Sequence, residues 1–143
     1  MANFYHPKQV YNMVSQQSLT ELFSQQHNWQ DRYRQLILLA KQLPDFPPDQ
    51  KTEENQVNGC ENRVWLTYQK QADGTFIFQG DSEGRIVKGL LAILILIANN
   101  KNATQIHAID FPALFKELKI AQELSQSRQQ GLAKLIERIE SIK

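Results

Sequence analysis

Apolar residues recur along this chain with two periods, and the changes of period mark its elements. Between 29 and 43, Tyr33, Leu36, Ile37, Ala40 and Leu43 return every three or four positions, which predicts a helix that Pro44 stops. Before it, Ser18-Leu19-Thr20-Glu21 has the form of a capping box and predicts the start of a short helix that carries Leu19, Leu22 and Phe23 inward. The segment 44–56, with Pro47-Pro48 and several charges, reads as a connecting loop and hinge region, not a domain boundary. The period shortens toward two at 64–71. Asp73-Gly74 then predicts a hairpin turn and 75–79 a returning strand. Helical spacing resumes after Asp81-Ser82, where either residue can cap the first turn and Ile86, Leu90, Ile93, Leu94 and Ile97 form one inward stripe. Beyond the polar break Asn99-Asn100-Lys101-Asn102, a short helix is predicted over 103–108. Another starts at Asp110, with Pro112 in its first turn and Leu114, Phe115 and Leu118 inward. The last covers 127–142, with Leu132, Leu135, Ile136, Ile139 and Ile142 on one side.

Two strands alone make a marginal sheet, so helices must cover one face of it. The expected class is therefore α/β in the α+β sense, a small antiparallel sheet covered by helices. A chain of 143 residues suffices for one core, and 1–143 reads as a single domain without internal repeats. The most apolar run, 89–98, is too short to span a membrane and reads as a buried helix. The first ten residues are polar, include Pro7 and lack the layout of a secretory signal, which points to the cytoplasm. Sixteen basic residues against fifteen acidic give a net charge of +1, far from the footprint of a nucleic-acid binder, so protein partners are expected.

The single cysteine, Cys60, lies in the polar run Val57-Asn58-Gly59-Cys60-Glu61-Asn62-Arg63 just before the strand pattern. One cysteine makes no internal disulfide, and His6, His27 and His107 fall in no ligand spacing, so neither a bridge nor a metal site is expected. Asn58-Gly59 can take positive φ, which would hold Cys60 at the tip of a turn as a reachable thiol; the alternative is a buried structural cysteine. No local signal supplies a general base, and the carboxylates read as caps and solvated faces. The run Gly80-Asp81-Ser82-Glu83-Gly84-Arg85-Ile86-Val87-Lys88-Gly89 is not a phosphate loop: the Gly-Lys-Ser/Thr ending is missing, and Asp81 and Glu83 stand where phosphates need donors. Its glycines 84 and 89 read instead as sites of close packing. Arg128 and Arg85 each place a cation in the first turn of a helix, against the macrodipole. Either pairs with a surface carboxylate or one of them lies near Cys60, where it would stabilise anionic sulfur or fix the loop.

Three runs together resemble the SufE family of sulfur acceptors, closest to its CsdE branch: Gly59 through Leu66, Gly80 through Leu91, and Leu124-Ser125-Gln126-Ser127-Arg128-Gln129-Gln130-Gly131-Leu132. The resemblance covers nearly the whole chain. It implies a compact α/β fold that is also seen in scaffolds for iron-sulfur assembly. It also implies that sulfur is accepted from a pyridoxal-phosphate-dependent cysteine desulfurase, carried as a persulfide on Cys60, and passed to a downstream acceptor or iron-sulfur scaffold. The pyridoxal phosphate would belong to the partner, leaving this chain no cofactor of its own and no independent enzymatic turnover. Gly59, Glu61, Asn62 and Arg63 would meet the partner, and Arg128 matches a family motif residue. Two other readings of Cys60 stand beside this one. A thiol redox enzyme would need a resolving thiol from elsewhere, and a cluster scaffold would have only one cysteine where four ligands are usual.

Overall fold

The computed structural model describes residues 16–143; the expectations for the first ten residues and for His6 lie outside them. Among the described residues, six α-helices flank a two-stranded antiparallel sheet. The order is α1 (Gln16–Ser24), α2 (Trp29–Gln42), a 3-10 turn (Pro48–Gln50), β1 (Val64–Lys70) and β2 (Phe76–Ser82). Then come α3 (Arg85–Ala98), α4 (Ala103–His107), α5 (Phe111–Glu117), a second 3-10 turn (Ala121–Glu123) and α6 (Gln126–Glu140). This is the expected α+β class.

Helix α3 is the centre of the fold. The one-sided stripe expected for it is too narrow, because every residue from Ile86 to Ala98 except Lys88 is buried. Helix α2, strand β2 and helix α6 all pack on it, leaving no face for water. Gly89 sets how closely α2 approaches. A Cβ there would stand 2.4 Å from the Leu36 carbonyl oxygen, a backbone atom that cannot rotate away. Leu36, Leu39 and Ala40 line the buried side of α2, whose first turn is capped by Asn28 accepting from the Asp31 amide at 2.8 Å. Leu39 adds an inward position beyond those expected from the spacing.

The hairpin turns at Gly74, whose φ of +88° suits glycine, and pairs Lys70 with Phe76 through to Val64 with Ser82. Because β1 is paired all the way back to Val64, β2 must continue to Ser82, past the expected end at 79. Neither Asp81 nor Ser82 is therefore the cap of α3; the N-cap is Gly84, with no side-chain hydrogen bond. Asp81 instead joins Lys51 (3.0 Å) and Lys88 (3.1 Å). Burial pushes its carboxyl pKa up, but hydrogen bonds from Lys51 and Lys88 outweigh that and leave it below the ordinary carboxylate value. Helix α1 also differs from expectation: it is already running at Gln16, so Ser18 lies inside it and is not its cap, while Leu19 and Phe23 are buried as expected.

The C-terminal helices follow their capping chemistry. Asn102 and Gln105 form a reciprocal capping box on α4, and Asp110 accepts from the Ala113 amide at the start of α5. Ser125 caps α6 through the Arg128 amide at 3.2 Å. Leu132, Leu135, Ile136, Ile139 and Ile142 are all buried. His107 Nε2 lies 2.9 and 3.0 Å from the carbonyls of Glu140 and Ile142, tying α4 to the end of α6.

Helix α5 ends in a Schellman motif, with the Ile120 amide donating to the Phe115 carbonyl and the Lys119 amide to that of Lys116, both at 3.0 Å. The left-handed position, usually glycine, is held by Lys119 at φ +62°. Lys119→Gly removes the Cβ strain of that conformation and should raise unfolding stability by about 1 kcal/mol. A urea titration checks this; an unchanged or lower midpoint contradicts it.

Candidate functional site

The loop 58–63 leaves the sheet and returns at one point. The Val57 amide donates to the Val64 carbonyl at 2.8 Å, and behind this closure the Leu66 amide donates to the Asn55 carbonyl at 2.9 Å. Gly59 takes the positive φ expected of Asn58-Gly59, at +94°. A side chain there would also press on Lys134, whose Cγ lies 3.0 Å from the position of a Cβ.

Cys60 does not project from the tip as a freely presented thiol, which corrects the expectation from the polar run. It is half-buried and packs against the core. Its Sγ lies 3.7 Å from the Gly131 carbonyl oxygen, and a Cβ added at Gly131 would be 3.4 Å from the sulfur. The seat is thus a side-chain-free spot on α6, six residues beyond its capping residue Ser125. Burial pushes the Cys60 pKa above the ordinary thiol value, and no cation among the described residues offsets it. The hydrogen-bond acceptor at the sulfur is a carbonyl, which favours S–H over S⁻.

The C-terminal half of the loop is held from the far end of the hairpin. The Asn62 side chain occupies the space that a Cβ on Gly84 would need, 2.3 Å from its Oδ1. The Ser82 hydroxyl donates to the Arg63 carbonyl at 3.0 Å, and the Glu83 amide reaches the same carbonyl at 3.1 Å. The Arg63 guanidinium makes two hydrogen bonds to Glu83, at 2.9 and 2.5 Å, and lies 5.4 Å from the Trp65 ring centre. Those bonds lower the Glu83 pKa, but the pair is solvated and its energetic weight is small. Glu61 is exposed.

Arg128 turns toward α2. Its Nη1 donates to the Tyr33 hydroxyl at 2.7 Å, and the guanidinium lies 5.9 Å from the centre of the same ring, which meets Trp29 edge-on at 4.3 Å. Its Nε is buried and has no hydrogen-bond partner among the described residues. The cation at the head of α6 is therefore accommodated by an aromatic ring and a hydroxyl, and lies one turn before the Gly131 seat of the sulfur. Arg85 is exposed at the start of α3. Among the described residues, no group of three or more His, Cys, Asp or Glu side chains could hold a metal ion, and no helix is long and apolar enough to cross a membrane.

Gly131 is the site residue that sequence reasoning did not single out. The available signal was a glycine inside a helical pattern, in the quoted run Gln130-Gly131-Leu132. The geometry predicts slow alkylation. The rate of Cys60 modification by iodoacetamide in the folded chain should rise with pH through a midpoint above that of free cysteine, about 8.5. The same reagent on the urea-unfolded chain should show the ordinary midpoint. A folded-state midpoint below the unfolded one contradicts the burial argument.

Comparison with known proteins adds a consistent set of relatives. The profile of the SufE family, described as an Fe-S metabolism associated domain, matches residues 17–143. The sulfur acceptor protein CsdE of Escherichia coli (strain K12) is 47% identical over 126 residues, covering 88% of this chain and 86% of that protein. An uncharacterized SufE-like protein of Rhizobium meliloti (strain 1021) is 37% identical over 132 residues, covering 90% and 94%. Among solved structures, the solution structure of a hypothetical protein from Thermus thermophilus superposes with a TM-score of 0.70 at 16% identity, covering 88% of this chain and 90% of that one, which shows a shared fold.

Proposed function

The chain belongs to the SufE family, and from that premise we propose that it is a sulfur acceptor that takes sulfur onto Cys60 from a cysteine desulfurase and hands it on toward iron-sulfur cluster assembly. The observation that carries the assignment to Cys60 is its setting: the chain's only thiol, on a six-residue loop tied off at its base, seated against Gly131. The partner is pyridoxal-phosphate-dependent, and that cofactor stays with it. The chain acts in the cytoplasm as a carrier and activator, without turnover of its own.

The transfer is a thiol exchange. The desulfurase bears a persulfide whose outer sulfur is electrophilic. Cys60 loses its proton and its thiolate attacks that sulfur. A sulfur–sulfur bond forms on Cys60, the bond on the desulfurase breaks, and the desulfurase leaves as a thiolate that takes up a proton. The seat at Gly131 disfavours the thiolate, so attack is favoured when the loop leaves it. Gly59, Glu61, Asn62 and Arg63 flank Cys60 along that loop and form the contact with the partner. Arg128, with its Nε unmet and one turn from the seat, orders the loop or stabilises anionic sulfur during the exchange.

Mass spectrometry after incubation with an active desulfurase and L-cysteine should show one added sulfur atom on Cys60 that a reductant removes. Cys60→Ser should retain the circular dichroism spectrum and desulfurase binding but gain no sulfur. Absence of the adduct on the wild-type chain with its cognate desulfurase would refute the carrier role.

Arg128→Ala should slow sulfur transfer more than it lowers the melting temperature. Arg128→Lys should restore only part of the rate, because an ammonium lacks the planar fork. Normal transfer by Arg128→Ala would leave the residue with only its structural link to Tyr33.

A further inference from the structure

Helix α6 serves two surfaces. Gly131 faces the Cys60 loop, whereas Leu132 and Ile136 lie on a different side and help to form an apolar groove of about 670 Å³. Phe115 from α5 and Leu124 from the turn between the helices complete its floor. Gln129 crosses that turn and donates its side-chain amide to the carbonyls of Ala121 and Leu124, both at 3.1 Å, so that wall is braced and the amide is already occupied.

Among the described residues, the only charged side chains lining the groove are Lys116 and Lys119. Both are exposed, and neither is in an ion pair. Lys119 also sits at the left-handed position where glycine is the unstrained choice. The chain thus keeps a cation on the rim at a conformational cost, a second observation that favours recognition of negative charge. A small polar ligand would need convergent donors and acceptors to orient it. The groove offers an apolar floor and two rim cations, which match the side of an amphipathic helix with acidic flanks.

We propose that the groove between α5 and α6 docks an acidic amphipathic helical segment of a partner protein, on a surface separate from the Cys60 loop. Apolar side chains of that segment at i, i+3, i+4 and i+7 lie on Phe115, Leu124, Leu132 and Ile136, and its carboxylates meet Lys116 and Lys119. Because the sulfur seat is elsewhere on α6, the groove can be occupied while the loop is engaged. The inference rests on the fold alone and stands whether or not Cys60 carries sulfur.

The test is an NMR titration of the full ¹⁵N-labelled chain with two synthetic helical peptides. One has Leu and Ile at i, i+3, i+4 and i+7 with Glu at the flanking positions, and its twin has Lys in place of Glu. The acidic peptide should shift resonances of α5, the 121–124 turn and the groove side of α6, and should bind about tenfold more tightly than its twin at low salt. The double variant Lys116→Glu/Lys119→Glu should reverse that preference while leaving Cys60 alkylation unchanged. Lys119→Gly should bind the acidic peptide more weakly although its fold is no less stable, which separates the charge from any structural role. Equal binding of the twins, shifts centred on the 58–63 loop, or no shifts at millimolar peptide would overturn the proposal. So would a concentration-dependent dimer, seen by sedimentation and abolished by Ala133→Glu, which would assign the groove to a second copy of this chain.

Discussion

The close approach of α2 to α3 at Gly89 is the constraint on which the rest of the structure depends. A two-stranded sheet cannot bury enough surface to be stable alone, so the fold needs a helix that accepts packing on every side. Helix α3 does so because its sequence is apolar almost throughout and because one glycine lets the α2 backbone come within contact. Each of its fully buried Leu and Ile side chains is worth about 1.5–3 kcal/mol. With α2 and β2 seated on α3, the base of the hairpin is fixed, and α6 is placed where its glycine meets the loop that leaves that hairpin.

The site inherits rigidity from this arrangement on every side except its own loop. Backbone hydrogen bonds tie the loop ends, and Ser82 and Glu83 hold its C-terminal arm from the neighbouring strand end. The sulfur itself is held only by packing and by a long contact to a carbonyl. A strong anchor around a weakly held thiol suits a group that is stored in one place and used in another.

Much of this was legible in the sequence, because helix periodicity, the helix start at Asp110 and the Asp73-Gly74 turn are local signals. The two capping errors have different causes. Ser18-Leu19-Thr20-Glu21 and Asp81-Ser82 have the composition of helix starts, but the first lies in a helix already under way and the second is drawn into a strand by pairing with Val64. At Asp81-Ser82, local propensity gave way to partner demand. Cys60 was legible as the candidate chemical centre, on a turn whose Gly59 takes positive φ, but its seat was not. Gly131 lies 71 residues away, and only the placement of α6 on α3 brings the two together. Arg128 and Tyr33 meet across 95 residues for the same reason.

The tied base of the loop also sets a length scale. Cys60 lies three residues from Val57 and four from Val64, and both of those anchors are buried in the core. Three extended residues span about 10 Å, so a sulfur that leaves its seat while the base stays closed remains within roughly that radius of the anchors. The shorter arm is the limiting tether. Any donor or recipient of that sulfur must therefore present its reacting atom close to this surface, and a protein whose own reactive group lies at the bottom of a deep, rigid cleft would be out of range.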